Sequence, residues 1–274
     1  MIATAVKKRT SRLSFAMREA LRGLAGEAPG RRAVFLHIPK CAGSSVNLVF
    51  KRTVGSSHSG RTILIDDRID RESYDEKIAQ ARAARFVGGH FGFETLEEVR
   101  GTDAITFTVL RDPFDRVRST FGHFHTRARG NPLGHKLPTM TIEDYLASEG
   151  PEISQWTDNV IARQLARSHD RGRVAGMGLE EMVETAKAHL DQIDVVAFLD
   201  ELPEAIARVT AAAKVPFDGQ MPRENVTRRR SAKPAPKAAL ASLDEALRRL
   251  AYERVRGDLA VFKHALAKAG QADH

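Results

Sequence analysis

Two apolar runs, residues 33–38 and 104–110, constrain the fold more than any other feature of the sequence. The first run is nearly continuous, which is typical of a strand buried on both faces of a parallel sheet, and the second, AITFTVL, is predicted to be another buried strand although it contains two threonines. Further strand candidates lie at 62–66, 85–91 and 193–199, and helix-like segments separate them. Strands that alternate with helices predict an α/β fold of three layers, in which helices flank a central, mainly parallel sheet.

The helices are predicted from apolar periodicity and from capping signals. The segment 73–84 begins with Ser73 in a Ser-x-x-Glu pattern, which is typical of a helix N-terminus. Extra helices are predicted in the C-terminal half, at 141–148, 153–168, 179–190, 203–213 and 239–268. Ligands of open parallel sheets bind at the carboxyl ends of the strands, so we expect functional residues in the loops that follow the strands.

The chain divides near residue 30. Residues 31–274 suit one mixed α/β domain, whereas residues 1–30 are predicted to form a basic amphipathic segment. The first 32 residues hold eight Lys or Arg against two Glu, a net charge of +6. Apolar side chains recur there at helical spacing, namely Leu13, Met17, Leu21 and Leu24. Such a helix can dock on the domain or make peripheral contact with an acidic membrane, and both alternatives stay open.

Composition favours a cytoplasmic protein. No apolar run reaches the ~18 residues of a membrane span, and the N-terminus lacks the apolar core of a signal peptide. Cys41 is the only cysteine, which excludes an internal disulfide framework and fits a reducing compartment. The net charge of +8 suits anionic ligands, and we expect no nucleic-acid partner.

The stretch FLHIPKCAGSS, residues 35–45, has the composition of an anion-binding loop. Small residues from Cys41 to Ser45 let an anion approach the backbone, and the N-terminus of the following helix adds partial positive charge. Lys40 adds a full charge. The loop is not the P-loop of nucleotide kinases, which needs two glycines five apart followed by Lys-Ser/Thr. Taken alone, the stretch is equally compatible with a tight strand–helix turn in which Lys40 is merely solvated.

The second long apolar run ends in LRDPFDRVRST, residues 110–120. Arg111 leaves the carboxyl end of this strand, and Ser119 follows about two turns into the next helix. A guanidinium and a hydroxyl together form a good receptor for a phosphate, because arginine offers a bidentate fork. The structural alternative is that Arg111 forms an ion pair with Asp112 or Asp115.

These two motifs together resemble the paired cofactor motifs of sulfotransferases that use PAPS (3′-phosphoadenosine 5′-phosphosulfate). The likeness is closest to carbohydrate sulfotransferases of the heparan/uronosyl 2-O-sulfotransferase type, in a soluble, bacterial form. It implies a P-loop-like fold with PAPS as co-substrate, and Arg111 and Ser119 on the 3′-phosphate. It also implies that the first motif holds the phosphosulfate through Pro39, Lys40, Cys41, Ala42, Gly43, Ser44 and Ser45. Threonine is common in the family where this chain has Cys41.

Three further segments extend the resemblance. GGHFGF matches the position of the catalytic base in that family, which falls on His90. DNVIARQL resembles a later segment and implies substrate-binding roles for Asn159 and Arg163. NVTRRR resembles a basic loop that closes over the cofactor, which implicates Arg228 and Arg229.

The predicted reaction is an in-line transfer of the sulfuryl group to a hydroxyl, which needs a base and charge stabilisation. His90 suits the role of base because the unperturbed pKa of histidine, about 6.5, lies near neutral pH. Lys40 is expected to neutralise the charge that develops as the nucleotide leaves. Glu94 is an alternative base, and His123 is a candidate for contacting the acceptor. The sequence offers no convincing metal-ligand cluster, so we expect no metal.

The sequence therefore predicts a PAPS-dependent sulfotransferase whose acceptor is a carbohydrate or another hydroxyl compound. The basic clusters would suit an acidic glycan. Two other function classes compete with this prediction, a P-loop-type nucleotide kinase and a non-catalytic polyanion-binding protein. The sequence does not indicate the oligomeric state.

Overall fold

One five-stranded sheet forms the centre of the protein. The computed structural model describes residues 15–55, 61–68, 70–126, 140–222 and 245–272. Strands β1 to β5 are Arg32–Leu36, Thr62–Asp66, Phe86–His90, Ala104–Leu110 and Val195–Phe198. Every pair of neighbouring strands is parallel, and their order is β2-β3-β1-β4-β5. Helices flank the sheet, so the predicted α/β, P-loop-like architecture is confirmed.

The helices follow the predicted alternation with the strands. In chain order, the described helices are α1 Phe15–Leu24, α2 Gly43–Thr53, α3 Arg71–Ala81, α4 Phe93–Arg100, α5 Pro113–Thr126, α6 Ile142–Ala147, α7 Pro151–Thr157, α8 Val160–Ala166, α9 Leu179–Leu190, α10 Leu202–Ala212 and α11 Glu245–Ala272. Helices α6 to α11 are the extra helices that the sequence predicts for the C-terminal half.

Aromatic packing joins β1, β3 and β4 to α2, the helix that follows β1. Phe35 of β1 lies opposite Phe107 of β4, and their rings stack at 4.7 Å. Phe50 of α2 stacks on Phe86 of β3 at 4.2 Å. All four rings are buried, which fixes α2 against the sheet with its N-terminus beside the carboxyl end of β1.

The strand order places a topological switch point at β1. Its two neighbours, β3 and β4, come later in the chain and lie on opposite sides of it. In parallel α/β sheets such a point opens a crevice outside the carboxyl ends of the strands, where ligands bind. Here the loop after β1, His90 at the end of β3 and Arg111 after β4 meet at this edge.

The start of α3 differs from the prediction. The N-cap is Asp70 rather than Ser73, because the Asp70 carboxylate accepts a hydrogen bond from the Ser73 backbone N–H at 2.9 Å. An aspartate at this position satisfies a backbone donor that the first helical turn leaves unpaired.

The single helix predicted over 153–168 is broken into α7 and α8. Asn159 has a φ of 42°, in the left-handed region that asparagine tolerates better than most residues. Its side-chain oxygen accepts the backbone N–H of Gly257 in α11 at 2.8 Å. A Cβ at position 257 would lie 2.8 Å from that oxygen, so glycine is required for the approach. The break between α7 and α8, here called the corner, therefore depends on a contact with a helix that is distant in the chain, which local periodicity does not reveal.

Helix α1 docks on the domain through its polar side. Glu19 pairs with Arg85 at 3.2 Å, and Arg22 donates to the Lys214 carbonyl at 2.8 Å. The apolar stripe of the helix faces solvent instead, with Met17, Leu21 and Leu24 exposed. Residues 1–14 of the basic segment, including Leu13, lie outside the described residues.

None of the helices in the described parts of the chain is both long and apolar enough to cross a membrane.

Candidate active site

The loop between β1 and α2 has an unusual backbone. Lys40 and Ala42 have φ angles of 69° and 61°, which residues other than glycine rarely adopt, whereas Cys41 between them does not share this conformation. Each left-handed residue costs about 1 kcal/mol or more, so the surrounding structure must impose it. When successive residues alternate between left-handed and right-handed backbone conformations, their N–H groups point toward one spot and form a nest that binds anions. The backbone of this loop therefore suits an anion.

Cys41 anchors the loop in the core. Its side chain is buried, and its backbone N–H donates to the Ile38 carbonyl at 3.2 Å. Burial raises the pKa of the thiol to about 12, so it stays protonated at neutral pH. Cys41 thus shapes the loop and does not supply a thiolate.

Gly43 permits a close contact between α2 and the end of β1. A Cβ at position 43 would overlap the His37 imidazole, so only glycine fits here. His37 in turn stacks on His90 at 4.3 Å between ring centroids. The N-terminus of α2 is thereby held next to His90.

The three strand ends enclose a cavity of about 760 Å³. Most of the residues that the sequence implicates line it together: Pro39, Lys40, Ala42, Gly43, Ser44, Ser45, His90, Arg111, Ser119 and His123. Another part of the lining is apolar and consists of Leu199, Leu202, Pro203, Met221 and Pro222. Phe124 and Trp156 add aromatic surface.

Arg111 reaches from the end of β4 to the loop after β1. Its Nη1 donates a long hydrogen bond of 3.4 Å to the Lys40 carbonyl, and its buried Nε has no hydrogen-bond partner among the described residues. The Asp112 carboxylate instead accepts the Asp115 backbone N–H at 2.9 Å, and Asp115 pairs with Arg118 at 2.9 Å. Among the described residues, Arg111 therefore does not form the ion pair with Asp112 or Asp115 that the sequence offered as its structural alternative.

His90 lies between two other imidazoles. Its ring stacks on His37 on one side and on His169, at 5.3 Å, on the other. Its Nδ1 is 3.2 Å from the His37 carbonyl oxygen. Burial lowers the pKa of His90, and burial followed by the charge of His90 lowers the pKa of His37 well below its usual value. Both rings are therefore neutral at pH 7, the state a proton acceptor requires.

A buried carboxylate holds His169 next to His90. Oδ2 of Asp67, just after β2, accepts hydrogen bonds from the backbone N–H of Gly92 at 3.1 Å, the Ser168 hydroxyl at 2.7 Å and the backbone N–H of His169 at 2.8 Å. These bonds join the ends of β2 and β3 to the segment after α8. Burial, the largest influence, raises the pKa of Asp67 despite these donors. Within the described parts of the chain, no group of three or more His, Cys, Asp or Glu could hold a metal ion.

Other predicted site residues lie away from this cavity. Glu94 forms a surface ion pair with Arg167 at 2.7 Å. Asn159 and Arg163 line a second cavity of about 830 Å³, and Arg163 donates to the backbone carbonyls of Asp158 at 2.7 Å and Gln155 at 2.6 Å. Arg228 and Arg229 lie outside the described residues.

Sequence reasoning missed Trp156, His169 and Gln164. Gln164 is fully buried in α8, and its side-chain nitrogen donates to the carbonyls of His37 at 3.0 Å and Phe91 at 2.7 Å. The one available signal is an amide in the stretch VIARQLA that follows Asn159, where only Arg163 and Gln164 are polar. A fully buried amide needs partners, and these partners are backbone groups that no sequence pattern displays.

A parallel sheet whose switch point carries a nest-like loop and an arginine with a donor unpaired among the described residues is an arrangement that suits an anionic ligand. Comparison with family models is more specific, because the model described as "Sulfotransferase family" matches residues 28–265. This match spans most of the chain, and the chain belongs to the sulfotransferase family. A comparison with curated proteins found no match.

Family membership establishes a transferase that moves sulfuryl groups to hydroxyl-bearing acceptors in general. It favours this function over the kinase and the polyanion-binding alternatives. The match is to the family as a whole, so the heparan/uronosyl 2-O type, the carbohydrate acceptor and the role of each site residue stay predictions.

Proposed function

We propose that the protein is a PAPS-dependent sulfotransferase of the 2-O type that sulfates a hydroxyl of a carbohydrate in the cytoplasm. The observation that supports it best is that a left-handed anion loop and Arg111 face one cavity. PAPS carries anionic groups at both its 5′ and its 3′ positions, which suits two adjacent anion receptors.

The lining of the cavity fits this nucleotide. The loop from Pro39 to Ser45 would hold the 5′-phosphosulfate with backbone N–H groups and the charge of Lys40. Arg111 and Ser119 would hold the 3′-phosphate, because the guanidinium already has a buried Nε without a partner among the described residues. The apolar part of the lining, from Leu199 to Pro203 and at Met221, offers surface for a purine ring.

The residues of the chain then have separate roles in transfer. PAPS supplies an activated sulfuryl group. His90 accepts the proton of the acceptor hydroxyl, and its neutral imidazole matches that role. Lys40 and the N-terminus of α2 stabilise the negative charge that accumulates on the nucleotide side of the site.

A carbohydrate acceptor is supported by the aromatic surface of the cavity. Trp156 lines it beside the stacked rings of His37, His90 and His169, since the His169 ring lies 5.7 Å from the Trp156 ring. An indole face packs well against the C–H face of a sugar ring, and the net charge of +8 favours an acidic glycan. His123, on the same lining, would contact this acceptor.

Calorimetric titration with PAP, the desulfated nucleotide, tests the cofactor assignment. Wild type is expected to bind PAP, and Arg111→Ala to weaken binding by roughly 10- to 100-fold, the value of a charge-assisted hydrogen bond or two. Arg71→Ala is the matched control, because Arg71 forms an exposed ion pair with Asp75 on α3. Absence of PAP binding by correctly folded wild type would refute the proposal.

For the N-terminal segment we propose peripheral contact with an anionic membrane. Exposed Met17, Leu21 and Leu24 form the apolar stripe of α1, and residues 1–30 hold six Lys or Arg against two Glu, a net positive charge that matches anionic headgroups. Leu21→Glu should reduce sedimentation with phosphatidylglycerol-containing vesicles, whereas Leu266→Glu, on exposed apolar surface of α11, should not. Equal sedimentation with purely zwitterionic vesicles would contradict the charge argument.

A further inference from the structure

Gln164 forms a buried clamp between two strand ends. Its Nε2 donates to the His37 carbonyl at 3.0 Å and to the Phe91 carbonyl at 2.7 Å. His37 follows the last residue of β1, and Phe91 follows the last residue of β3. The clamp therefore connects the two strands at the edge of the sheet where the cavity opens.

The orientation of the Gln164 amide is fixed by its surroundings. Both of its partners are carbonyl oxygens, which can only accept hydrogen bonds. The reversed amide would set Oε1 against two other oxygens. In the orientation that forms both bonds, Oε1 is buried without a partner among the described residues. An unsatisfied buried oxygen is unfavourable, so the two donated hydrogen bonds must compensate for it.

The carbonyl that Gln164 holds also contacts His90. The His37 oxygen lies 3.2 Å from His90 Nδ1, and an oxygen that only accepts requires a proton on that nitrogen. In a neutral imidazole the proton on Nδ1 leaves the lone pair on Nε2. The carbonyl thus selects the His90 tautomer in which Nε2 is the proton acceptor.

We propose that Gln164 is a positioning residue for His90, acting through the His37 carbonyl. Its amide holds this carbonyl where it fixes the Nδ1–H tautomer and the ring orientation of the base. The inference rests on the proposed function, because a fixed tautomer matters only if His90 takes a proton. It adds Gln164, a residue with no group on the cavity, to the machinery of that step.

Nuclear magnetic resonance of the ligand-free protein tests the inference directly. In protein labelled with ¹⁵N-histidine, long-range ¹H–¹⁵N correlations distinguish a protonated ring nitrogen from an unprotonated one, and His90→Gln identifies the His90 signals. Wild type is expected to hold His90 as the Nδ1–H form. Gln164→Met, which keeps the side-chain length without a donor, should lower the Nδ1–H to Nε2–H ratio about fivefold, the factor of one ordinary net hydrogen bond.

Two further variants complete the test. Gln164→Glu keeps the side-chain shape but donates only when protonated, so its His90 tautomer ratio should depend on pH and remains informative if Gln164→Met fails to fold. Gln192→Met is the control, since Gln192 donates to the Ala188 carbonyl on the surface. An unprotonated Nδ1 in wild type, or a wild-type ratio in both folded Gln164 variants, would overturn the inference. PAP titration tests the proposed function separately, because the tautomer is measured without ligand.

Discussion

Two arginines that the sequence assigns to binding, Arg111 and Arg163, lie in regions that use them differently. Arg163 is buried, and both terminal nitrogens donate to backbone carbonyls at 2.7 Å or less. Arg111 is half-buried on the main cavity and makes one long bond of 3.4 Å to the Lys40 carbonyl. The first guanidinium serves the fold, whereas the second retains donors for a ligand.

The difference follows from the backbone groups near each arginine that lack hydrogen-bond partners. Helix α7 ends at Thr157, and the break before α8 leaves carbonyls near its C-terminus without helical partners. Arg163 donates to two of them, on Gln155 and Asp158. Arg111 instead lies just before the N-terminus of α5, where the backbone groups left unpaired are N–H donors that a guanidinium cannot satisfy. We infer that substitutions at the cavity impair function with little effect on stability, and that substitutions at the corner of residues 158–163 do the reverse.

The largest effect is expected at the cavity, for His90→Ala. Loss of a general base lowers the rate by about 10²- to 10⁴-fold, while PAP affinity should stay at the wild-type value. The measurement is transfer of ³⁵S from labelled PAPS to an acceptor found by screening glycans. Glu94→Gln, which alters only the surface pair with Arg167, is the control. Normal transfer by His90→Ala together with loss in Glu94→Gln would move the role of base to Glu94.

At the corner, Arg163→Ala is expected to lower the free energy of unfolding by about 3 kcal/mol or more, since two charge-assisted bonds to buried carbonyls are lost. Urea denaturation measures this change, and calorimetry of the folded fraction should give wild-type PAP affinity. Wild-type stability combined with lost acceptor binding would instead support the substrate-binding role that the sequence predicts for Arg163.

The cavity and the corner also differ in how far the sequence predicts them. The loop from Pro39 to Ser45 and Arg111 each follow an apolar run, so their meeting at one sheet edge follows from parallel topology. The break at Asn159 depends on Gly257, which is distant in the chain, and local periodicity therefore predicts one continuous helix. Gln164 escapes prediction because its partners are main-chain carbonyls.

The smallest effect concerns His169, which lies between the two regions. Burial, followed by the charges of His90, Arg68 and Arg163, lowers its pKa, and Asp66 opposes this only weakly. Because the folded pKa lies below the unfolded value of about 6.5, the unfolded chain binds more protons at acidic pH, so stability is complete above pH 6.5 and declines below it.

His169→Gln removes this titration while keeping a polar side chain. The decrease in the free energy of unfolding between pH 7.5 and pH 5 should therefore become smaller by at most about 2 kcal/mol, which urea denaturation at each pH measures. PAP affinity should not change, because His169 is not among the residues that line the main cavity and contacts that lining through His90 and Trp156. An unchanged pH dependence would mean that His169 takes up its proton as readily in the folded protein as in the unfolded chain. The His169 imidazole would then be solvated like a residue of the main cavity, rather than shielded from water like the corner of residues 158–163.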